Sequence, residues 1–209
     1  MAKVLKNGLV YLHIPKTGGN WLTDILERQD LITGEIGHKH ATYDALISEC
    51  LPEAGTLPVR LTGYFCVVRH PLRWYESWFK YQTARGWKTW GKAGKPHRWH
   101  VMTEMNRNKA VDFNDFMQLV NRNTPGFVHQ LYGSYTNGSN AVILKNESIA
   151  QDFTALCERS RLGIDQKAVL SAPPLGVSPR MEISWDRDVL RETIENEAPA
   201  FKRYGYERP

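Results

Sequence analysis

An apolar run, Leu9 to Leu12 continued by Ile14, leads straight into His13-Ile14-Pro15-Lys16-Thr17-Gly18-Gly19-Asn20-Trp21, and no other stretch restricts the fold as strongly. The run predicts a buried strand, and Trp21, Leu22, Ile25 and Leu26 then recur at helical spacing. Between strand and helix, two glycines let the backbone approach a ligand, and Lys16 adds a positive charge. The N–H groups at a helix start have no partner within the helix and complete an anion site. The segment predicts a loop that holds a phosphate-like group.

The order differs from the triphosphate loop G-x-x-x-x-G-K-[ST], in which the lysine follows the glycines and a hydroxyl then binds magnesium. Here Lys16 precedes the glycines, and Asn20-Trp21 opens the helix. A second apolar run, Tyr64-Phe65-Cys66-Val67-Val68, leads into Arg69-His70-Pro71-Leu72-Arg73-Trp74-Tyr75-Glu76-Ser77. Pro71 suits a first helical position, which puts Arg69 at the strand end and Ser77 about two turns into the helix. A guanidinium and a hydroxyl so placed can share one phosphate through charge-assisted hydrogen bonds.

These two segments, in this order, resemble the 5′-phosphosulfate loop and the R-x-P-x-x-R-x-x-S 3′-phosphate motif of the sulfotransferases, which use 3′-phosphoadenosine 5′-phosphosulfate (PAPS). Arg69, Pro71, Arg73 and Ser77 occupy that second pattern. Further on, Val142 to Phe153 is similar to the family's strand-Glu-x-Leu-x-x-Asp-Phe passage, and Phe201 to Tyr206 to its terminus. Gly176-Val177-Ser178-Pro179-Arg180 resembles an Asn-x-Ser-x-Arg stretch, with Gly176 in place of the asparagine.

The resemblance implies an α/β fold, a P-loop-nucleotide-kinase-like three-layer sandwich around a central parallel sheet. Strands alternating with helices point the same way. It also implies transfer of a sulfuryl group from PAPS to an acceptor hydroxyl by in-line displacement, leaving 3′-phosphoadenosine 5′-phosphate (PAP). Lys16 would neutralise the leaving oxygen, and Thr17, Gly18, Gly19 and Asn20 would hold the 5′-phosphate through backbone N–H groups and the Thr17 hydroxyl. Arg69 and Ser77 would hold the 3′-phosphate, with Arg180 a further ligand. Trp21 would stack on adenine, or else pack in the core as a helix-start aromatic. No metal is expected, because cationic side chains and N–H dipoles take its place.

An acceptor hydroxyl needs a general base. Gly37-His38-Lys39-His40-Ala41-Thr42-Tyr43 resembles the segment that carries the catalytic histidine in carbohydrate sulfotransferases. The register favours His40 over His38, and His70 is a weaker alternative. Trp87, Trp90 and Trp99, with Arg85, Lys88, Lys92, Lys95 and Arg98, crowd a long loop expected over residues 85–109. Those groups would suit an anionic or carbohydrate acceptor, or would pack on the sheet or another subunit.

The 209 residues are read as a single sulfotransferase domain. Cys50, Cys66 and Cys157 show no paired or metal-ligand spacing and are expected as reduced core thiols. No apolar stretch approaches the ~18 to 20 residues of a membrane span. The absence of an anchor or stem points to a cytoplasmic location, and nucleic acid is not an expected partner despite a net charge of +5. The rivals are a small-molecule kinase, for which the G-K-[ST] order and a magnesium carboxylate are missing, and a nucleotide- or nucleic-acid-binding module without catalysis.

Overall fold

Two four-residue strands, Ala2–Leu5 (β1), apolar except for Lys3, and the wholly buried Leu9–Leu12 (β2), pair as an antiparallel hairpin across Lys6-Asn7-Gly8. The Gly8 N–H closes the turn on the Leu5 carbonyl at 2.8 Å. Ile32–Ile36 (β3) lies antiparallel on the other side of β1. Gly63–Val68 (β4) pairs parallel with β2, and Ala141–Lys145 (β5) parallel with β4. The five-stranded order is β3-β1-β2-β4-β5.

The sheet is therefore mixed, and the expected parallel sheet is corrected. A turn as short as Lys6-Asn7-Gly8 can only return the chain beside itself, so β1 runs against β2. The strands legible as apolar runs, β2, β4 and β5, are the parallel ones.

The computed structural model describes residues 1–87, 101–138, 141–177 and 180–209. The chain divides into two compact units, Met1–Arg69 with Tyr132–Val177 and His70–Leu131 with Ser178–Pro209. In the first unit, Tyr11, Phe65, Val67 and Leu144 from the sheet form one buried cluster. Trp21, Leu22, Ile25 and Leu26 of helix α1 (Gly19–Arg28) join it, as do Phe153, Leu156 and Cys157 of the Ile149–Arg159 helix. After Thr42 the chain is helical, as Tyr43–Ala45, a π-turn Leu46–Cys50 and Leu51–Glu53, with Thr42 capping the start. Pro52 lacks the N–H that a regular α-turn would use here.

The second unit is helical among the described residues. The Pro71–Ala84 helix contributes Trp74 and Trp78, stacked with ring centroids 5.4 Å apart. Phe79 meets Phe113 and Phe116 of the Phe113–Asn123 helix. Asp112 and Asp186 cap the Phe113–Asn123 and Arg187–Asn196 helices by accepting first-turn N–H groups. Glu197 is buried, and its carboxylate accepts from the Tyr75 hydroxyl and from the Val128 and His129 N–H groups.

The predicted loop over residues 85–109 needs correction at its far end, where Val101–Met105 and Asn106–Asn108 are helical. Trp87 is buried against Phe79 and Phe116, so it packs in the core of its unit. Lys88, Trp90, Lys92, Lys95, Arg98 and Trp99 lie outside the described residues. Among the described residues no helix is long and apolar enough to cross a membrane. Cys50, Cys66 and Cys157 are buried and form no disulfide.

Candidate anion site

The parallel strands align so that the segments following them emerge at one edge of the sheet. Leu12 of β2 pairs with Cys66 of β4, and Val68 of β4 with Lys145 of β5. After β2 the chain continues through α1 to β3 on one side of the sheet, and β5 lies on the other side of β4. The crevice beyond β2 and β4 is thus a point where connections diverge, the position at which open α/β sheets bind ligands.

The loop from His13 to Gly18 turns at that edge. Lys16 and Gly18 both adopt positive φ, 67° and 89°. Glycine takes this conformation freely, whereas lysine takes it at a cost that its surroundings must offset. Thr17 is fully buried and its hydroxyl donates to the Ile14 carbonyl at 2.9 Å. The hydroxyl's one proton is therefore committed within the loop, and what Thr17 can offer an anion is its backbone N–H. Helix α1 begins at Gly19, with no side chain capping its first N–H groups. A Cβ at residue 19 would overlap His13 Nε2, so only glycine lets the helix start sit directly on that imidazole. Asn146, just past β5, abuts Gly18.

Cations gather around this helix start. Arg69, the residue after β4, donates from Nη1 to the Lys16 carbonyl at 3.4 Å. Lys16 is half-buried, and burial, with the Arg69 charge second, pulls its amine down to about 8. Lys39 reaches the first turn of α1, where its Nζ donates to Asn20 Oδ1 at 3.3 Å. Cations beside a helix N-terminus attract an anion from two sources at once, side-chain charge and backbone dipole.

A histidine pair borders the loop. His40 Nδ1 lies 3.0 Å from the His13 carbonyl, and the two rings meet edge to face at 5.0 Å. A carbonyl can only accept, so Nδ1 carries a proton. In the neutral ring this contact selects the tautomer with the proton on Nδ1. His13 is 6% exposed, and burial, reinforced by His40 and Lys39, holds its imidazole well below the usual histidine range. It stays neutral and serves as a platform under Gly19. Tyr135, fully buried, donates its hydroxyl to the His40 carbonyl at 2.9 Å.

The predicted residues are thus distributed unevenly. Lys16, Thr17, Gly18, Gly19, Asn20, Arg69 and His40 all belong to the loop, its flanking strand ends and the turn beside them in the first unit. Trp21 is 6% exposed inside the core cluster, which favours the packing alternative over adenine stacking. His38 is half-buried in the same turn, and its carbonyl accepts the Ala41 N–H. Ser77 belongs to the second unit, on the buried side of the Pro71–Ala84 helix. His70, also there, packs edge-on against Phe201 and Tyr206. Arg180 is exposed, and Ser178 lies outside the described residues.

Sequence reasoning missed Lys39, Asn146, Tyr132 and Tyr135. Lys39 could have been noticed as a cation between two candidate histidines, but the others carry no local signal. No family model, curated protein or solved structure matches the chain. Among the described residues no group of three or more His, Cys, Asp and Glu side chains is arranged to hold a metal ion.

Proposed function

We propose that this chain is a PAPS-dependent sulfotransferase whose donor site is the Lys16–Asn20 loop with Arg69, and whose general base is His40. One observation carries the reading: a left-handed loop brings Lys16, and through its carbonyl Arg69, to the uncapped N-terminus of α1. The setting suits a dianionic group better than a neutral one, because each element contributes positive potential. The related proposal is that the first unit shares the three-layer P-loop-kinase architecture, with β2, the loop and α1 as its phosphate-binding element.

In this mechanism the N–H groups of the loop and of the first turn of α1 grip the 5′-phosphate. Arg69 faces the 3′-phosphate, the group that separates PAPS from ATP-like nucleotides; Ser77 is assigned there by the resemblance alone. His40 Nε2 accepts the proton of the acceptor hydroxyl as its oxygen bonds to sulfur. The sulfur–oxygen bond to the 5′-phosphate breaks in line, and Lys16 neutralises the charge that gathers on the departing oxygen. The acceptor is a hydroxyl compound, of which a carbohydrate is the preferred class.

Calorimetric titration with PAP, AMP and ATP, with and without magnesium, tests the donor class. The expected result is metal-independent binding with preference for PAP, lost in Lys16→Ala and reduced to the level of AMP in Arg69→Ala. Preference for ATP with magnesium, or no binding, would refute it. His40→Ala should leave PAP affinity intact and abolish transfer from labelled PAPS; the same result for His38→Ala would shift the base to His38.

A further inference from the structure

We infer that Tyr132 and Tyr135 are positioning residues, a brace on one helix that fixes the backbone of Arg69 and of His40 respectively. The inference rests on the reading above for what those two residues do. Both tyrosines belong to the Phe127–Thr136 helix, are fully buried, and are spaced so that they share one helical face.

The Tyr132 hydroxyl accepts from the Arg69 N–H at 3.2 Å and donates to the Arg69 carbonyl at 2.9 Å. Arg69 directly follows the last residue of β4, where its backbone N–H and C=O each need a partner. A single hydroxyl serves both, which fixes the plane of the backbone and so the direction in which the guanidinium leaves the sheet edge. The Tyr135 hydroxyl donates to the His40 carbonyl at 2.9 Å. His40 sits in a turn, not in a helix or strand, and that bond anchors the residue whose ring must keep Nδ1 on the His13 carbonyl. Phenylalanine would fill the same core space in both places. The hydroxyls are therefore there for the two backbones they hold.

For Tyr132 the test is a cycle of four proteins: wild type, Tyr132→Phe, Arg69→Ala and the double variant, each titrated with PAP and with AMP. Tyr132→Phe should weaken PAP by about fivefold and AMP by less than about twofold, because one or two neutral hydrogen bonds act only through Arg69. In the Arg69→Ala background it should change neither. Equal weakening of both nucleotides, or a PAP loss that persists without Arg69, would reduce Tyr132 to general packing and overturn the inference.

For Tyr135 the readout is the nitrogen NMR spectrum of the histidines in ligand-free protein. Wild-type His40 should show a protonated Nδ1 and a bare Nε2, and Tyr135→Phe should show a mixture of tautomers with PAP affinity unchanged. An unaltered His40 spectrum would overturn the brace at that end. Should Tyr132→Phe fail to fold, Tyr135→Phe alone decides. Should the wild type bind neither nucleotide, the functional reading falls, while the His40 spectrum still judges the brace.

Discussion

Lys16 is the residue on which the proposed site can be tested most sharply, because the fold has made its charge easy to remove. An ordinary lysine stays protonated to about 10.4. At residue 16, burial and the neighbouring guanidinium of Arg69 lower this to about 8. Suppose only the charged form binds the 5′-phosphate. Affinity then scales with the protonated fraction, roughly nine-tenths at pH 7 and one-tenth at pH 9, a loss of about tenfold or about 1.4 kcal/mol. The ligand's phosphates, with a second pKa of about 6, are already about nine-tenths ionised at pH 7. Of the groups around it, His13 is held neutral, burial pushes Tyr11 and Tyr135 upward, and Arg69 remains charged. The Met1 amine, which burial lowers from its ordinary value near 8, acts on His13 and Lys39, and the Lys16→Met profile isolates its share.

The assay is calorimetry with PAP at pH 7, 8 and 9, in paired buffers of different ionisation enthalpy. Affinity should fall about tenfold from pH 7 to 9, and binding at pH 9 should take up close to one proton as the anion recharges the amine. Lys16→Met should bind weakly, with a flat profile and no proton uptake. A flat wild-type profile, or the same slope in Lys16→Met, would show that Lys16 does not meet the phosphate.

The same lysine carries a stability penalty. Its folded pKa lies below its unfolded value, so unfolding takes up a proton between about pH 8 and 10.5 and ligand-free stability should rise with pH in that window. Lys16→Gly, which also relieves the left-handed backbone at about 1 kcal/mol, should raise the melting temperature, lose that pH-dependent rise and abolish PAP binding; a lower melting temperature would contradict this. Gly19→Ala drives a methyl group into the buried His13 ring and should cost about 1–3 kcal/mol in urea unfolding, partly recovered in a His13→Ala background. Glu197→Ala leaves the Tyr75 hydroxyl and the Val128 and His129 N–H groups without their acceptor and should cost about 3 kcal/mol, with Glu197→Gln costing less. A loss below about 1 kcal/mol for Glu197→Ala would mean that other groups or water replace it.

Much of the local architecture is legible in the sequence because it depends on neighbours a few residues apart. The apolar runs at Leu9, Tyr64 and Ala141 are strands, and Trp21 to Leu26 lie on a helix whose buried face is the one their spacing marks. Asp112 and Asp186 cap the helices that follow them, since capping needs only the next N–H groups. The glycine–lysine loop belongs to the same class, as strand, turn and helix are contiguous. Even the antiparallel hairpin was available from Asn7-Gly8 between two short runs that are apolar except for Lys3. Strand β3 was harder, because Thr33, Gly34 and Glu35 interrupt any apolar run and leave it half-buried.

What tertiary structure alone decided is which distant groups meet at the loop. Arg69 on the Lys16 carbonyl, Lys39 on Asn20, and His40 on the His13 carbonyl depend on strand register and on a turn that folds back over the sheet edge. Tyr132 on Arg69 and Tyr135 on His40 are contacts 63 and 95 residues apart in the chain. Residue type and periodicity mark a tyrosine at 132 or 135 only as one more buried aromatic. That its hydroxyl holds another residue's backbone follows from how this helix packs against the strand end and the turn, a fact of packing that no local pattern encodes.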